Sequence, residues 1–104
     1  MKREFSIEEI LPLIDKQVVP IINAEEWSVV SKEWKRARTY SSVYELVFAS
    51  DGKFWMIEYD HPNTALSDDA KKDYPFPYVK DGIIHACQVN RETITVEFWS
   101  KKFT

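Results

Sequence analysis

Two apolar arms joined by Asp51-Gly52 constrain this chain more than any other stretch. The run from Val43 to Tyr59 alternates large apolar residues with other residues on both sides of that dipeptide. Asp-Gly between alternating apolar residues is the strongest short-range signal for a β-hairpin, because a two-residue type I′ turn requires positive φ at both central positions. The sequence therefore predicts an antiparallel hairpin with a tight turn.

The turn decides which residues face each other across the hairpin. A two-residue turn pairs Ser50 with Lys53 and leaves one face wholly apolar, whereas a three-residue loop with Gly52 in a bulge brings Glu58 onto that face. Because such a slip is costly where one face is buried, the two-residue turn is favoured. The predicted pairs are Phe48/Trp55, Leu46/Ile57 and Tyr44/Tyr59 on the apolar face, and Ala49/Phe54, Val47/Met56 and Glu45/Glu58 on the other.

The Glu45/Glu58 pair is unfavourable in this register, since like charges directly opposite each other in a strand pair repel. Two carboxylates this close either share a proton or lie beside a cation. We expect the second arrangement, with a Lys or Arg from residues 27–38 beside them.

Composition limits the classes of protein to which the chain can belong. With 104 residues and 44% hydrophobic content, residues 1–104 are expected to form a single domain with one core. A net charge of -3 argues against a protein that coats nucleic acid, and two glycines cannot build a phosphate-binding loop or a dinucleotide fingerprint. The single cysteine, Cys87, and the lack of a long apolar run indicate a cytoplasmic protein that spans no membrane.

The start of a helix is predicted at Ser6, because Ser6 followed by Glu9 forms a capping box. Pro12 argues for a kink or a second short turn, since a proline inside a helix costs about 3 kcal/mol. The helix should stop before Pro20. Its predicted apolar stripe is Ile7, Ile10, Leu11, Ile14 and Val18.

Residues 23–40 fit two secondary structures. Asn23 followed by Glu26 repeats a capping-box pattern, whereas the β-branched run after Trp27 is typical of a strand, and a strand from about Trp27 to Lys35 is favoured. This region also holds a basic cluster, which is either a solvated side of the element or the surface of a nucleic-acid-associated module. The cluster consists of Lys32, Lys35, Arg36 and Arg38, interleaved with Trp34 and Tyr40.

A long connection from Asp60 to Gly82 follows the hairpin. A connection of this length in a compact domain contains a short element or has a function of its own. Ser67 can cap one helical turn, and Pro75 and Pro77 exclude the following residues from a sheet interior. The prolines are expected to hold three aromatic rings on one side of an extended strip, which is either a flap over the core or a binding surface. The candidate contact residues are Asp68, Asp69, Asp73, Tyr74, Phe76 and Tyr78.

A second hairpin is predicted at residues 83–99, with Ile83–Val89 as one strand and Thr93–Trp99 as the other. Its pairing makes Cys87 a small core residue and His85 a residue at the core edge. These two residues and His61 are the candidates for a small enzyme site, which is the third alternative. Since zinc sites and catalytic cysteines need tighter groupings, we expect no metal, no cofactor and no catalysis. The predicted pairs are Val89/Ile94, Cys87/Val96 and His85/Phe98.

Three motifs follow one another along the chain: W-S-V-V at residue 27, D-G-K-F-W-M-I-E-Y at residue 51 and T-I-T-V-E-F-W at residue 93. In this order the chain resembles small proteins encoded by phages and prophages, which share a Trp-led strand, a G-K-[FY] hairpin and a late T-V-T-V-type strand. The resemblance covers residues 27–100. It implies a strand at Trp27 and an accessory role in the host cytoplasm that interferes with a host protein.

These observations predict an α+β fold in which an N-terminal helix packs on an antiparallel sheet of four or five strands built from hairpins. The favoured function is non-catalytic binding of a host protein through the acidic and aromatic connection. A nucleic-acid-associated module that uses residues 32–38 is the alternative. A homodimer formed through an uncovered sheet edge is compatible with either function.

Overall fold

The computed structural model of the chain describes residues 1–64 and 66–90. In this part of the chain, a five-stranded antiparallel sheet is combined with short helices, a mostly-β arrangement that broadly matches the predicted α+β class. The strands lie in the order β1-β5-β4-β3-β2. Their bounds are β1 (Lys2–Ser6), β2 (Val29–Ala37), β3 (Ser41–Ser50), β4 (Lys53–Pro62) and β5 (Ile83–Val89). The α-helices are α1 (Ile7–Ile14) and α2 (Asp68–Lys71), and Ile21–Asn23 form one turn of 3-10 helix.

The central hairpin is formed by β3 and β4 with the predicted turn. Asp51 has a φ of 53° and Gly52 a φ of 72°, the positive values that a two-residue type I′ turn requires. Ser50 pairs with Lys53, and the six predicted pairs beyond it are all confirmed, including Glu45 opposite Glu58. The alternation of apolar residues and the turn chemistry therefore predicted the register correctly.

The ambiguous region forms a strand, as favoured, because β2 pairs antiparallel with β3 from Val29 to Ala37. The strand begins two residues later than predicted, since Trp27 has a φ of 66° and turns the chain before the strand begins. The Trp27 ring stacks on Phe48 with centroids 5.9 Å apart and an interplanar angle of 10°. A packing partner, rather than local propensity, therefore fixes where the strand starts.

Strand β1 was not predicted, because Phe5 is its only apolar residue. Met1, which precedes the strand, is exposed. The strand pairs antiparallel with β5. Phe5 is almost fully buried, and its ring meets Phe48 and Trp55 edge-on with centroids 5.1 Å and 5.9 Å away. Burial of one large aromatic side chain, Phe5, thus attaches this strand to the core, although its sequence lacks the alternating apolar pattern of a typical strand.

Helix α1 begins at the predicted capping box. Glu9 N–H donates to Ser6 Oγ over 3.3 Å, and Ser6 N–H donates to Glu9 Oε1 over 2.9 Å. The helix ends at Ile14, two residues after Pro12, and does not reach Val18. The predicted apolar stripe is wrong in part, because Leu11 and Val18 are exposed, while Leu13 is buried together with Ile10. Among the helices of the described residues, none combines the length and the apolar character needed to cross a bilayer.

The two faces of the sheet differ in how completely they are covered. The larger buried cluster lies on the face of Leu46, Phe48, Trp55 and Ile57, where Ile10 and Leu13 of α1 also belong to it. The opposite face holds a small cluster centred on Val30 and Val47. Phe54, Met56 and Val89 lie at the margin of that cluster and are only partly buried.

Strand β5 has the predicted bounds but the opposite orientation. Ile84 and Ala86 are buried, whereas His85 and Cys87 are exposed, so the prediction of Cys87 as a core residue and His85 at the core edge is wrong. The cause is the identity of the neighbours, because β5 lies between β1 and β4 and turns its even-numbered residues toward the larger cluster. The predicted partner strand Thr93–Trp99 lies outside the described residues.

Candidate functional site

The long connection enters a gap between two strands of the sheet. Strand β4 pairs with β5 only from Phe54 to Met56. Beyond that point the connection takes the place of β5: Asp60 N–H donates to the Pro75 carbonyl oxygen over 2.8 Å, and Phe76, 7% exposed, belongs to the main buried cluster. Val79 also packs against this cluster, so the connection is held to the sheet from Pro75 to Val79.

The three aromatic rings of the connection do not lie on one side of an extended strip, so that prediction is wrong. Phe76 is buried, Tyr74 is half-buried, and Tyr78 is 67% exposed. The cause is a series of tight turns, in which Phe76 N–H donates to the Asp73 carbonyl over 3.1 Å and Val79 N–H to the Phe76 carbonyl over 3.2 Å. Tyr78 projects outward, with the Arg38 guanidinium 4.9 Å from its ring centroid.

The three candidate acidic residues of the connection, Asp68, Asp69 and Asp73, are exposed. Ser67 caps α2 as predicted, since Ala70 N–H donates to its Oγ over 3.2 Å. Asp68 and Asp69 occupy the first turn of α2, where the helix dipole favours negative charge. Asp69 lies 3.8 Å from Lys72 but is 91% exposed, and Asp73 is exposed as well. These three carboxylates and Tyr78 are thus all exposed on the connection.

A groove of about 260 Å³ separates the connection from the end of α1. Ile14 and Asp15 form one wall, Lys71 and Tyr74 form the other, and Tyr59 of β4 lies between them. Sequence reasoning missed this groove, because it depends on where α1 ends and on how the connection returns to the sheet. The alternation in the central hairpin did predict Tyr59 on the face that lines it.

Three aromatic residues lie in register across β2, β3 and β4 beside this groove. Trp34 faces Tyr44, and Tyr44 faces Tyr59. The rings of Tyr44 and Tyr59 are stacked with centroids 5.5 Å apart, and His61 meets Tyr44 edge-on at 6.4 Å. Trp34 is 54% exposed. We call Trp34, Tyr44 and Tyr59 the aromatic ladder.

The ladder also presents polar groups that the described chain does not use. Within residues 1–64 and 66–90, no hydrogen bond involves the indole N–H of Trp34 or the hydroxyl groups of Tyr44 and Tyr59. Of the three ladder residues, Trp34 is largely exposed, whereas Tyr59 is 6% exposed and belongs to the larger buried cluster.

The environment of Tyr59 opposes its ionisation. Burial of the side chain raises the pKa of Tyr59 above its ordinary value, and the nearby Tyr44 and Asp15 raise it further. A negative charge on the Tyr59 oxygen would be poorly solvated and would face the Asp15 carboxylate. At neutral pH the group is therefore a hydroxyl that can donate a hydrogen bond.

The raised pKa of Tyr59 predicts a loss of stability at high pH. The unfolded chain ionises this tyrosine near its ordinary pKa of about 10, while the folded protein still holds the proton. The neutral hydroxyl of Tyr59 contributes its whole share to the free energy of unfolding below about pH 10. That share is lost as the pH rises through the higher pKa that Tyr59 has in the folded protein. We expect the free energy of unfolding, measured in urea between pH 8 and pH 11, to fall more steeply for the wild type than for Tyr59→Phe. Equal slopes would contradict this assignment.

Each cation of the basic cluster already has a partner in the structure. Lys35 lies 3.5 Å from Glu45, Arg36 lies 3.1 Å from Glu58 and Arg38 lies 3.0 Å from Asp60. The prediction that cations from residues 27–38 lie beside the Glu45/Glu58 pair is confirmed. Lys32 donates to the Ile14 carbonyl oxygen, which is left unpaired at the end of α1. The cluster is thus paired largely with carboxylates on neighbouring strands.

The residues considered for an enzyme site are separated by the sheet. His61 contacts Tyr44 on the face of the larger cluster, whereas His85 and Cys87 are exposed on the opposite face. The His85 ring nitrogen Nδ1 lies 3.8 Å from Glu4. Asp60 is buried and accepts a hydrogen bond from the Ser41 hydroxyl over 2.7 Å. Across the described ranges, no group of three or more His, Cys, Asp or Glu side chains is placed to hold a metal ion.

Comparison with known proteins gives no relative on which a function could be based. No protein-family model matches the chain. No curated protein and no solved structure matches it either.

Proposed function

We propose that this protein binds another protein without catalysing a reaction, and that the exposed part of the connection is the contact region. The observation that supports this proposal is the combination of a fixed backbone with outward-facing side chains. Phe76 and the Asp60–Pro75 hydrogen bond hold the connection against β4, while carboxylates and a tyrosine extend from it. The contact residues are Asp68, Asp69, Asp73, Tyr74 and Tyr78.

A segment held in this way is suited to recognition. Binding costs less when the contact residues are already ordered, because less conformational freedom is lost. Tyrosine is enriched at the centres of interfaces, and carboxylates at the rim direct partners of opposite charge. Phe76, which the sequence also suggested as a contact residue, supports the segment from within the core instead. The proposed partner surface therefore carries basic groups around an apolar centre.

The wider context of the proposal comes from the fold and from the resemblance. Packing of α1 on the sheet is supported by Ile10 and Leu13, which share one buried cluster with Leu46 and Phe48. That packing would leave the connection free for a partner. The resemblance to phage accessory proteins supports a host protein as the partner, in the host cytoplasm.

The proposal is tested by removing the exposed contacts while keeping the segment in place. A triple variant Asp68→Asn, Asp69→Asn and Tyr78→Ala leaves Phe76 and Pro75 untouched. We expect it to recover at least about tenfold less partner from host lysate than the wild type does, quantified by mass spectrometry, because interface centres lose that much on truncation. Its free energy of unfolding should stay within about 1 kcal/mol of the wild type, the loss expected for the exposed contact of Tyr78 with Arg38.

The matched control is Tyr40→Ala, because Tyr40 is 61% exposed and lies outside the connection. This variant should recover the partner as well as the wild type. If the triple variant retains the partner, the connection is not the contact region. Loss of the partner in both variants to the same degree would also contradict the assignment.

A further inference from the structure

We propose that the segment Thr93–Trp99 of this chain lies back over the sheet face opposite the larger buried cluster, with Phe98 in a cavity between β4 and β5. The segment lies outside the described residues, and what supports its place is the surface that the described residues present to it. This inference goes beyond the proposed function and does not rest on it, because it involves none of the proposed contact residues.

The first observation is an apolar patch on that face. Phe54, Met56 and Val89 lie at the margin of the small cluster there and are only partly buried. Cys87, which faces Met56 across the β4–β5 pair, is exposed. We call Phe54, Met56 and Val89 the half-buried patch. Apolar side chains placed over it would remove apolar surface from water, which is favourable.

The second observation is a cavity of about 400 Å³ beside the patch, where β4 and β5 separate beyond Met56. Phe76 and Val79 line it from the side of the larger cluster. Glu58 and His85 line it from the opposite face, where both are exposed. The cavity therefore has an apolar floor and opens on the same face as the half-buried patch. It can receive an aromatic ring, since a cavity of about 150 Å³ already holds a benzene molecule.

The third observation is the place where the chain leaves β5. Val89 is the last residue of β5 and part of the half-buried patch, so residues 91–104 begin beside that patch. Cys87 pairs with Lys2 of β1 on one side and with Met56 of β4 on the other. Because both sides of this end of β5 are occupied, a returning segment has no place there as a neighbouring strand. A return over the face that Val89 occupies is the shortest route to apolar surface.

The spacing of the segment fits the patch and the cavity. Ile94, Val96 and Phe98 are separated by single polar residues, so an extended segment carries all three on one side, about 6.7 Å apart. Side chains on one face of β4 repeat at the same distance. A segment that turns back after Val89 therefore places Ile94 over the near end of the half-buried patch, Val96 over Met56 and Phe98 over the cavity.

Length and attachment favour this segment over any other occupant. Residues 91–104 reach up to about 46 Å when extended, whereas Phe54 and Glu58 are about 13 Å apart along β4. An attached segment has an effective concentration in the millimolar range at a site that it can reach. A second copy of the chain or a free partner at micromolar concentration would have to compete with it.

Nuclear Overhauser spectroscopy of the full chain tests the inference directly. We expect cross-peaks between the ring protons of Phe98 and the methyl groups of Val79, because both side chains would lie in one cavity. The contact between Phe5 and Trp55, whose ring centroids are 5.9 Å apart, is the internal control. A spectrum that shows the Phe5–Trp55 contact but no cross-peak between Phe98 and Val79 would overturn the inference.

The alkylation rate of Cys87 is the second measurement. We expect the native chain to react at least about tenfold more slowly than the chain unfolded in urea, because Val96 would shield the thiol and only the opened form would react. Phe98→Asp should remove most of this protection, since an apolar cavity does not accept an unpaired carboxylate. The matched control is Thr95→Asp, which adds the same charge on the polar side of the segment and should keep the protection.

Three alkylation results would contradict the inference. One is a native chain that reacts as fast as the unfolded one. Another is an equal rate in the two aspartate variants. The third is protection that falls on dilution, because a second copy of the chain would then provide the cover. Circular dichroism shows whether both variants remain folded; if Phe98→Asp unfolds, the cross-peaks of the wild type decide.

Discussion

Replacing Phe76 with Ala is expected to lower the free energy of unfolding by about 3 to 5 kcal/mol, the usual cost of truncating a buried aromatic residue. Phe76 is 7% exposed, belongs to the main buried cluster and lines the cavity of about 400 Å³ where β4 and β5 separate. Its removal would enlarge that cavity, and the connection would lose its one fully buried aromatic anchor in the core. Since small domains have only about 5 to 15 kcal/mol of stability in total, the effect should be large in urea denaturation followed by tryptophan fluorescence.

Tyr78→Ala is the matched control, because the two aromatic residues are two positions apart in the same connection. Tyr78 is 67% exposed, and its ring contacts the Arg38 guanidinium. We expect a loss within about 1 kcal/mol, typical of an exposed cation–π contact. Similar losses for the two variants would mean that Phe76 does not form part of the core.

Replacing Asp60 with Ala is expected to cost about 2 to 3 kcal/mol, because it leaves the buried Ser41 hydroxyl without its acceptor and Arg38 without its ion-pair partner. The Asp60 carboxylate accepts a hydrogen bond from the Ser41 hydroxyl over 2.7 Å and forms an ion pair with Arg38, whose Nε lies 3.0 Å away. Its side chain is 8% exposed, while that of Arg38 is 35% exposed. Partial solvation of Arg38 keeps the expected loss below that of a fully buried ion pair. Thermal and urea unfolding of the variant measure the loss.

The same strand provides the control for Asp60. Glu58 lies two residues earlier on β4 and pairs with Arg36 over 3.1 Å, but about half of each side chain is exposed. Glu58→Ala should cost at most about 1 kcal/mol, as exposed ion pairs usually do. Asp60→Asn should fall between the two alanine variants, since an amide oxygen can still accept from Ser41. An effect of Asp60→Ala no larger than that of Glu58→Ala would rule out the buried network as a source of stability.

The parts of the fold that follow local rules could be predicted from the sequence. The Asp51-Gly52 turn and the alternation around it determine the register of β3 and β4, and the capping box determines where α1 begins. The ion partners of Glu45 and Glu58 could also be predicted, because like charges held opposite each other need a cation nearby.

The parts that depend on neighbours along the sheet could not be predicted. Strand β1 has too few apolar residues to show a period, and it exists because β5 offers it an edge and Phe48 and Trp55 receive Phe5. The orientation of β5 was predicted from its pairing with residues 93–99. In the structure β5 lies between β1 and β4, and Ile84 and Ala86 face the core instead.

The candidate site shows the same limit. The exposure of Asp68, Asp69 and Asp73 follows from their charge. Phe76 is buried and Tyr78 exposed because of a series of tight turns, which the two prolines alone do not specify. The groove could not be foreseen, since Asp15 and Tyr59 meet there only after the helix has ended and the connection has returned to the sheet.

The pairing of β1 with β5 also has a consequence for synthesis on the ribosome. Lys2 lies beside Cys87 and Ser6 beside Ile83, so the first strand to be made completes its ladder only after β5 has been made. Strands β2, β3 and β4 are joined by short turns and can assemble while translation continues. Until β5 emerges, Phe5 has no strand to hold it over Trp55, and the nascent chain exposes apolar surface. Contacts this distant in sequence also form slowly, which makes closure of the sheet by β1 a late step in folding.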